Sequence, residues 1–128
     1  MNVLIYFPYN LRTVEQQSVL EMLVKQGHKV VLLTTCSRGF LHSYVEKLGV
    51  ITEWADTSES DGKLKYYSQN IKKLRQVISK YKIDVVIAHQ QQLAVFAGIV
   101  KKTIPFRLIY IRHNTDEDHQ HYPVKARI

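Results

Sequence analysis

The chain has 128 residues, of which 45% are hydrophobic and 23% charged, and its 18 Lys+Arg against 11 Asp+Glu give a formal net charge of +7. This length suits one domain, and this balance is typical of a globular protein and excludes an intrinsically disordered one. A single cysteine excludes an internal disulfide framework, and no apolar run reaches the roughly 20 residues that span a bilayer. We therefore expect a soluble, cytoplasmic domain.

The positive charge is concentrated in one segment of the chain. Lys63–Lys82 contains seven cationic residues and no acidic one, so the remaining residues carry equal numbers of the two signs. This distribution disfavours a protein that coats nucleic acid with a uniformly basic surface.

Short apolar runs alternate with segments of helical periodicity. The first helix is predicted to run from its N-cap, Thr13, to a stop at Gly27. The predicted strands are Val3–Phe7, Lys29–Thr35, Val50–Trp54, Asp84–Ala88 and Arg107–Arg112, and the later helices are Phe40–Leu48, Lys63–Lys82 and Leu93–Lys101. Repeated βαβ units of this kind predict a Rossmann-like, three-layer α/β/α domain with a parallel sheet in the order 3-2-1-4-5.

Ligands of such sheets bind at the carboxyl ends of the strands, near the switch between strands 1 and 4. The sequence lacks the motifs of several common protein classes that have this architecture. No glycine-rich turn follows strand 1 and no Gly-Lys-Ser/Thr occurs, so the chain is neither a dinucleotide-binding dehydrogenase nor a P-loop protein. Phe7 and Pro8 stand where a phospho-receiver domain needs carboxylates to hold Mg²⁺.

Two polar features leave alternatives open. Arg38 lies two residues after Cys36 and would lower the pKa of that thiol if the two were in contact, whereas a lone cysteine without a histidine partner is otherwise inert. The segment 113–121 is either a mixed metal site or a solvated loop, and its candidate ligands are Asp116, Asp118, His119 and His121. Because no spacing in it matches a known rigid site, we assign no metal.

Four stretches, taken in chain order, carry a recognisable sequence pattern. They are the first strand, Gly27-His28-Lys-Val-Val-Leu-Leu-Thr, the stretch from Leu74 to His89 with Asp84 leading the fourth strand, and Ile109-Tyr-Ile-Arg-His113-Asn114. Together they resemble the N-terminal, acceptor-side domain of family 4-like retaining glycosyltransferases with the GT-B fold.

The resemblance covers essentially the whole chain and implies that residues 1–128 are that N-terminal domain, truncated and without the donor-binding C-terminal domain. It implies transfer of a sugar from a nucleotide-sugar donor to an acceptor in polysaccharide or glycolipid synthesis. No cofactor is implied, since the nucleotide sugar is a substrate. Because catalysis in a cleft needs both walls, residues 1–128 alone are expected to be inactive.

The resemblance also implies a site. His113, after strand 5, takes the catalytic position near the transferred sugar, and a strand-end cap is its alternative role. His89 after strand 4 either lines the cleft or is a packed imidazole. The residues expected to bind substrate are Tyr9, Asn10, Arg12, Thr13, His89, Gln90 and Asn114. Tyr9 to Thr13 replace the family's glycine-rich turn, and Arg12 beside a helix N-terminus suits an anionic group.

The second hypothesis is a non-catalytic binding module that docks on an anionic membrane through its basic helix. On a helical wheel, one arc should pack on the sheet, and it contains Leu64, Tyr67, Ile71, Leu74 and Ile78. The opposite, membrane-facing side carries Lys65, Lys72, Lys73 and Lys80. Tyr66 would be the only aromatic ring on that side, which is a poor platform for nucleic acid.

A purely solvated helix face is the alternative to this membrane surface. If the helix does dock, the protein would be peripheral at the inner face of the membrane. The edge strand of an incomplete sheet would also allow a homodimer.

Overall fold

The computed structural model describes residues 1–9 and 14–111. The strands are β1 (Asn2–Phe7), β2 (Lys29–Thr34), β3 (Ile51–Trp54), β4 (Val85–His89) and β5 (Arg107–Ile111). The helices are α1 (Val14–Lys25), α2 (Phe40–Glu46), α3 (Lys63–Tyr81) and α4 (Gln91–Lys101), and a short 3₁₀ turn (Glu59–Asp61) precedes α3.

The described strands form one parallel sheet in the order β3-β2-β1-β4-β5. The predicted fold class and strand order are therefore confirmed. β1 and β2 lie in the interior of the sheet, and almost every side chain in them is buried because helices cover both faces. This explains why both strands are nearly continuous apolar runs in the sequence.

Two hydrophobic cores lie on opposite faces of the sheet. On one face, α1 and α2 pack through Leu20, Leu41 and Val45 against the sheet. On the other face, α3 and α4 pack through residues such as Leu74 and Phe96. β3 and β5 are the edges of the described sheet, and a homodimer through an exposed edge stays a prediction.

Gly27 ends α1 as predicted. Its N–H and that of His28 donate to the carbonyls of Val24 and Leu23, at 3.0 and 3.2 Å, in the two-bond pattern of a Schellman motif. The φ of Gly27 is +85°, a conformation that a side chain disfavours. The predicted N-cap of α1, Thr13, lies outside the described residues.

The buried face of α3 differs from the predicted one. Its buried residues are Tyr66, Asn70, Leu74, Val77 and Ile78. Leu64, which was expected to pack on the sheet, is 81% exposed, and Tyr67 is 39% exposed. The prediction that Tyr66 lies on the charged side is therefore wrong, and Tyr67 is the partly exposed ring.

A polar residue, Asn70, lies within the observed buried face. Its Nδ2 donates to the carbonyl of Tyr66 at 2.8 Å, and its Oδ1 lies 3.2 Å from the hydroxyl of Thr57. A buried amide is tolerated only when it is hydrogen-bonded. The apolar periodicity of α3 gives no sign of a polar residue at the centre of its buried face.

Within the described ranges, no helix is both long enough and apolar enough to cross a membrane.

Candidate functional site

The last described residues of the five strands form one row across the carboxyl edge of the sheet. Register pairs Phe7 of β1 with Thr34 of β2 and Thr34 with Trp54 of β3. On the other side, Tyr6 pairs with Ala88, so that Phe7 comes next to His89 of β4, and His89 pairs with Ile111 of β5. We call Trp54, Thr34, Phe7, His89 and Ile111 the edge row.

The switch between β1 and β4 brings two predicted substrate-binding residues together. The side chain of Gln90 donates from Nε2 to the hydroxyl of Tyr9, with 2.7 Å between the heavy atoms. Tyr9 is exposed and Gln90 half-buried. Among the described residues, no further hydrogen bond engages the hydroxyl hydrogen of Tyr9 or the Oε1 of Gln90, so both groups can bind a ligand.

The ring of Phe7 packs against Tyr9 of this Tyr9–Gln90 pair. This ring makes edge-to-face contacts with Tyr9, at a centroid distance of 5.6 Å, and with His89, at 5.4 Å. His89 itself is buried, as in the packed-imidazole alternative. A contact between His89 and a ligand stays a prediction.

The backbone of Gln90 is strained. Its φ of 86° and ψ of 148° lie near a region that essentially only glycine occupies. The strained residue is held at both ends, since its N–H donates to the carbonyl of Ile111 at 3.3 Å and its own carbonyl accepts from Ala94 at 3.1 Å. Strain of this kind occurs where a site requires a fixed side-chain direction.

His42 holds the loop between β2 and α2. The N–H of Gly39 donates to its Nδ1 at 3.0 Å, so in the neutral ring Nε2 carries the proton and donates to the hydroxyl of Thr34 at 2.8 Å. That hydroxyl donates in turn to the carbonyl of Cys36 at 3.0 Å. Burial, together with the nearby positive charge of Arg38, lowers the pKa of His42.

Arg38 binds a carboxylate, not the thiol. Its guanidinium makes two hydrogen bonds to Glu46, at 2.5 and 2.7 Å, and lies 5.5 Å from the centre of the Trp54 ring. Burial raises the pKa of the Cys36 thiol, although hydrogen bonds oppose it. Of the two alternatives for Cys36, the structure favours the inert thiol.

Two of the four predicted membrane-facing lysines pair with Glu53 on β3. Lys73 lies 2.9 Å and Lys80 3.2 Å from its carboxylate oxygens, and the hydroxyl of Tyr81 donates to it at 2.6 Å. Burial alone would raise the pKa of Glu53, but these hydrogen bonds outweigh it and lower that pKa to about 2. Lys65 and Lys72 remain exposed on α3.

Several predicted residues lie outside the described ranges. They are Asn10, Arg12, Thr13, His113 and Asn114, together with the polar segment 113–121. Among residues 1–9 and 14–111, no group of three or more His, Cys, Asp or Glu is placed to hold a metal ion.

The sequence patterns did not indicate Trp54 and His42 as parts of the carboxyl edge. They also did not indicate Glu53 as the residue of β3 that binds α3. Gly39 is the N-cap of α2, and His42 at N3 accepts from its N–H as the last residue of a capping box does. Because Gly39 has no side chain to complete the box, the sequence carries no recognisable signal for this role of His42. Glu53 is the acid in a short strand that faces a long basic helix. Its partners come 20 and 27 positions later, which local patterns do not reveal.

Three solved structures share this architecture. MurG from Acinetobacter baumannii aligns with a TM-score of 0.68 and 12% identity over 94% of this chain and 38% of that one. A glycosyltransferase from Rickettsia africae aligns with a TM-score of 0.67 and 14% identity over 97% and 34%. Alr3699/HepE from Anabaena, solved with UDP, aligns with a TM-score of 0.60 and 18% identity over 86% and 29%. This chain thus spans about a third of the length of these relatives.

The described sheet and helices are a Rossmann-like domain of the GT-B type. The sequence matches Glycosyltransferase Family 4 over residues 17–128, and the chain belongs to that family. A search of curated proteins gives no significant match.

Proposed function

We propose that the chain is the acceptor-side domain of an enzyme that transfers a sugar from a nucleotide sugar to an acceptor in polysaccharide or glycolipid synthesis. Family membership supports the transferase class, and the UDP in the Anabaena structure supports a nucleotide-sugar donor. The observation that carries the acceptor role is the pair of Tyr9 and Gln90 at the switch, where ligands of parallel sheets bind.

The remaining donor of Tyr9 and the remaining acceptor of Gln90 suit an acceptor substrate with several hydroxyl groups. The Oε1 of Gln90 accepts a hydrogen bond from one hydroxyl, and the hydroxyl of Tyr9 donates to another. The residues proposed to complete the site are Asn10, Arg12, Thr13 and Asn114, with Arg12 facing an anionic group of a substrate. His113 is proposed as the catalytic group at the reaction centre, two residues after Ile111 of the edge row.

The opposite wall of the cleft is proposed to be a donor-binding domain that residues 1–128 do not contain. The nucleotide sugar bound there would be a substrate, so the proposed reaction includes no cofactor. Without the second wall, donor and acceptor are not held in reacting geometry, so residues 1–128 alone are expected to be inactive.

The test compares two histidines in the enzyme assayed together with its donor-binding domain. His113→Ala is expected to lower kcat by about 100-fold or more, as the loss of a group that stabilises the transition state does. His121→Ala, a matched histidine in the same polar segment, should keep the original rate. Equal rates for the two variants, or full transfer by residues 1–128 alone, would contradict the proposal.

A second candidate function is docking on an anionic membrane, and one observation favours it. We call the outward strip between α3 and α4 the outer groove. It consists of Leu64, Tyr67, Ile71, Val95 and Ile99, most of which are exposed. The two helices meet there, since the ring of Tyr67 lies 5.4 Å from that of Phe96 and its hydroxyl 3.5 Å from the side chain of Gln92.

Fewer unpaired lysines lie beside the outer groove than the four that the sequence predicted to face a membrane. Lys65 and Lys72 are exposed on the outer side of α3, whereas Lys73 and Lys80 are paired with Glu53. An apolar strip beside exposed lysines fits the surface of an anionic bilayer, where each nearby cation contributes about 1 kcal/mol. A peripheral location at the inner face of the membrane follows from this candidate.

Vesicle sedimentation distinguishes this surface from simple solvation. The double variant K65E/K72E is expected to bind anionic vesicles at least about 30-fold more weakly, because two favourable charges are lost. The control K25E/K47E makes the same change at two exposed lysines on the other face of the sheet, one in α1 and one just after α2, and should bind as the original does. Equal binding to neutral and anionic vesicles, or binding to neither, would exclude the membrane role.

A further inference from the structure

Trp54 occupies one end of the edge row. It is the last residue of β3, it is 37% exposed, and it is the only tryptophan in the chain. Large aromatic side chains are normally buried more completely than this, so a partly exposed indole at the ligand-binding edge of the sheet needs a reason.

The indole is held in one orientation by two neighbours. The imidazole of His42 packs against it at a centroid distance of 5.6 Å and an interplanar angle of 80°, and the guanidinium of Arg38 lies 5.5 Å from its centre. His42 is fully buried and hydrogen-bonded through both ring nitrogens, and Arg38 is fixed by Glu46. A side chain fixed in this way loses little conformational entropy when a ligand binds to it.

The charges around Trp54 favour a neutral ligand. The only cation in contact with the ring, among the described residues, is Arg38, and its charge is offset by the two hydrogen bonds to Glu46. Asp56, two residues after Trp54, is exposed and offers a carboxylate that only accepts hydrogen bonds. An exposed ring followed two residues later by an exposed carboxylate suits a sugar, whose C–H face would pack on the indole while a hydroxyl donates to Asp56. A phosphate would be repelled.

The position of Trp54 also sets the size of that ligand. β3 is separated from β1 by β2, and neighbouring strands are about 4.8 Å apart, so Trp54 lies roughly 10 Å from the end of β1. Tyr9, at the switch, is two residues beyond that end of β1. A single sugar ring cannot contact both places, whereas a short oligosaccharide can.

We propose that Trp54 and Asp56 form a second sugar subsite, so that the acceptor is a neutral oligosaccharide that passes over the carboxyl edge of the sheet from the switch to β3. This inference rests on the proposed function, because it names the substrate class of the same cleft. It assigns specificity for acceptor length to Trp54.

The sole tryptophan allows a direct test with the chain itself. Its fluorescence is recorded while glucose, maltotetraose and chitotetraose are added, and saturation-transfer NMR detects binding of the same sugars anywhere on the protein. At least one tetrasaccharide is expected to shift the emission of Trp54 saturably, with glucose far weaker.

Two variants localise the effect. Trp54→Ala is expected to weaken tetrasaccharide binding about tenfold by NMR, as the loss of one aromatic stacking contact does. Tyr110→Ala removes a half-buried ring of β5 on the opposite face of the sheet and should bind as the original does. Tetrasaccharide binding by NMR that neither changes Trp54 emission nor weakens in Trp54→Ala would overturn the subsite and leave the proposed function standing. Absence of binding by both methods would overturn it too, while the His113 comparison tests the proposed function separately.

Discussion

Replacing Glu53 by glutamine is expected to lower the free energy of unfolding by about 2 kcal/mol at neutral pH. The carboxylate is only 14% exposed and accepts from Lys73, Lys80 and Tyr81, so the neutral amide leaves two lysines without their partner. Removing one partner of a buried ion pair costs more than the pair itself contributes, because the remaining charge stays desolvated. This applies to Lys73, whose side chain is 26% exposed, and much less to Lys80, whose side chain is 58% exposed. Urea unfolding followed by circular dichroism measures the difference.

The matched control for this change is Glu46→Gln. Glu46 also pairs with a cation, Arg38, and its pKa is likewise lowered to about 2, first through the hydrogen bond from Arg38 and then through that from Thr52. Its side chain is 39% exposed, however, so solvent screens the pair and a loss below about 1 kcal/mol is expected. Equal losses for the two variants would show that Glu53 does not attach α3 to β3.

Acid should reveal the same contact. The pKa of Glu53 is about 2 in the folded protein against an ordinary value of 4.5, so its contribution to stability is complete above pH 4.5 and lost as the pH falls toward 2. The contribution is at most about 3 kcal/mol. Since Glu46 titrates in the same range, the decisive quantity is the difference between the original chain and Glu53→Gln, which should shrink as the pH falls through this window.

Removing the side chain of His42 is expected to cost about 3 kcal/mol of stability. His42→Ala leaves a cavity in a fully buried position and removes the acceptor of the Gly39 N–H and the donor to the Thr34 hydroxyl. It also frees the indole of Trp54, whose emission should broaden and shift toward that of a solvated ring. The control, His28→Ala, lies at the amino edge of the sheet and should cost less than about 1 kcal/mol.

The pH dependence of this residue has a definite sign. The pKa of His42 is lowered in the folded protein, so the unfolded chain binds a proton more readily. Its contribution to stability is therefore complete above the ordinary histidine pKa of about 6.5 and declines as the pH falls below that value. The free energy of unfolding should fall less between pH 7.5 and pH 5.5 in His42→Ala than in the original chain. An identical drop would mean that His42 does not carry this linkage.

Most of the fold follows from local sequence patterns. Buried parallel strands have continuous apolar runs, and right-handed crossovers leave few strand orders, so β3-β2-β1-β4-β5 was predictable. Helix ends at glycines such as Gly27 follow from backbone sterics alone. These features depend on residues close together in the chain.

The rotation of α3 and the edge contacts were less predictable, because they depend on distant residues. Apolar periodicity places Leu64 on the sheet, but the observed buried face contains Asn70, which lies within hydrogen-bonding distance of Thr57, 13 positions earlier. The rule that ligands bind at the carboxyl ends of the strands indicated Tyr9 and Gln90 separately. Only the three-dimensional structure shows that one donates to the other across 81 positions of sequence.

The alignment of the edge row has a consequence for insertions and deletions. The strands begin at different levels, since β3 has four residues and β1 has six, but they end together at Phe7, Thr34 and Trp54. A strand lengthened by one residue at its amino end leaves the row unchanged, whereas one lengthened at its carboxyl end moves a side chain by about 3.3 Å and turns it to the other face. Loops at the amino edge of the sheet can therefore vary in length freely, whereas a change of length at the carboxyl edge displaces the residues of the edge row.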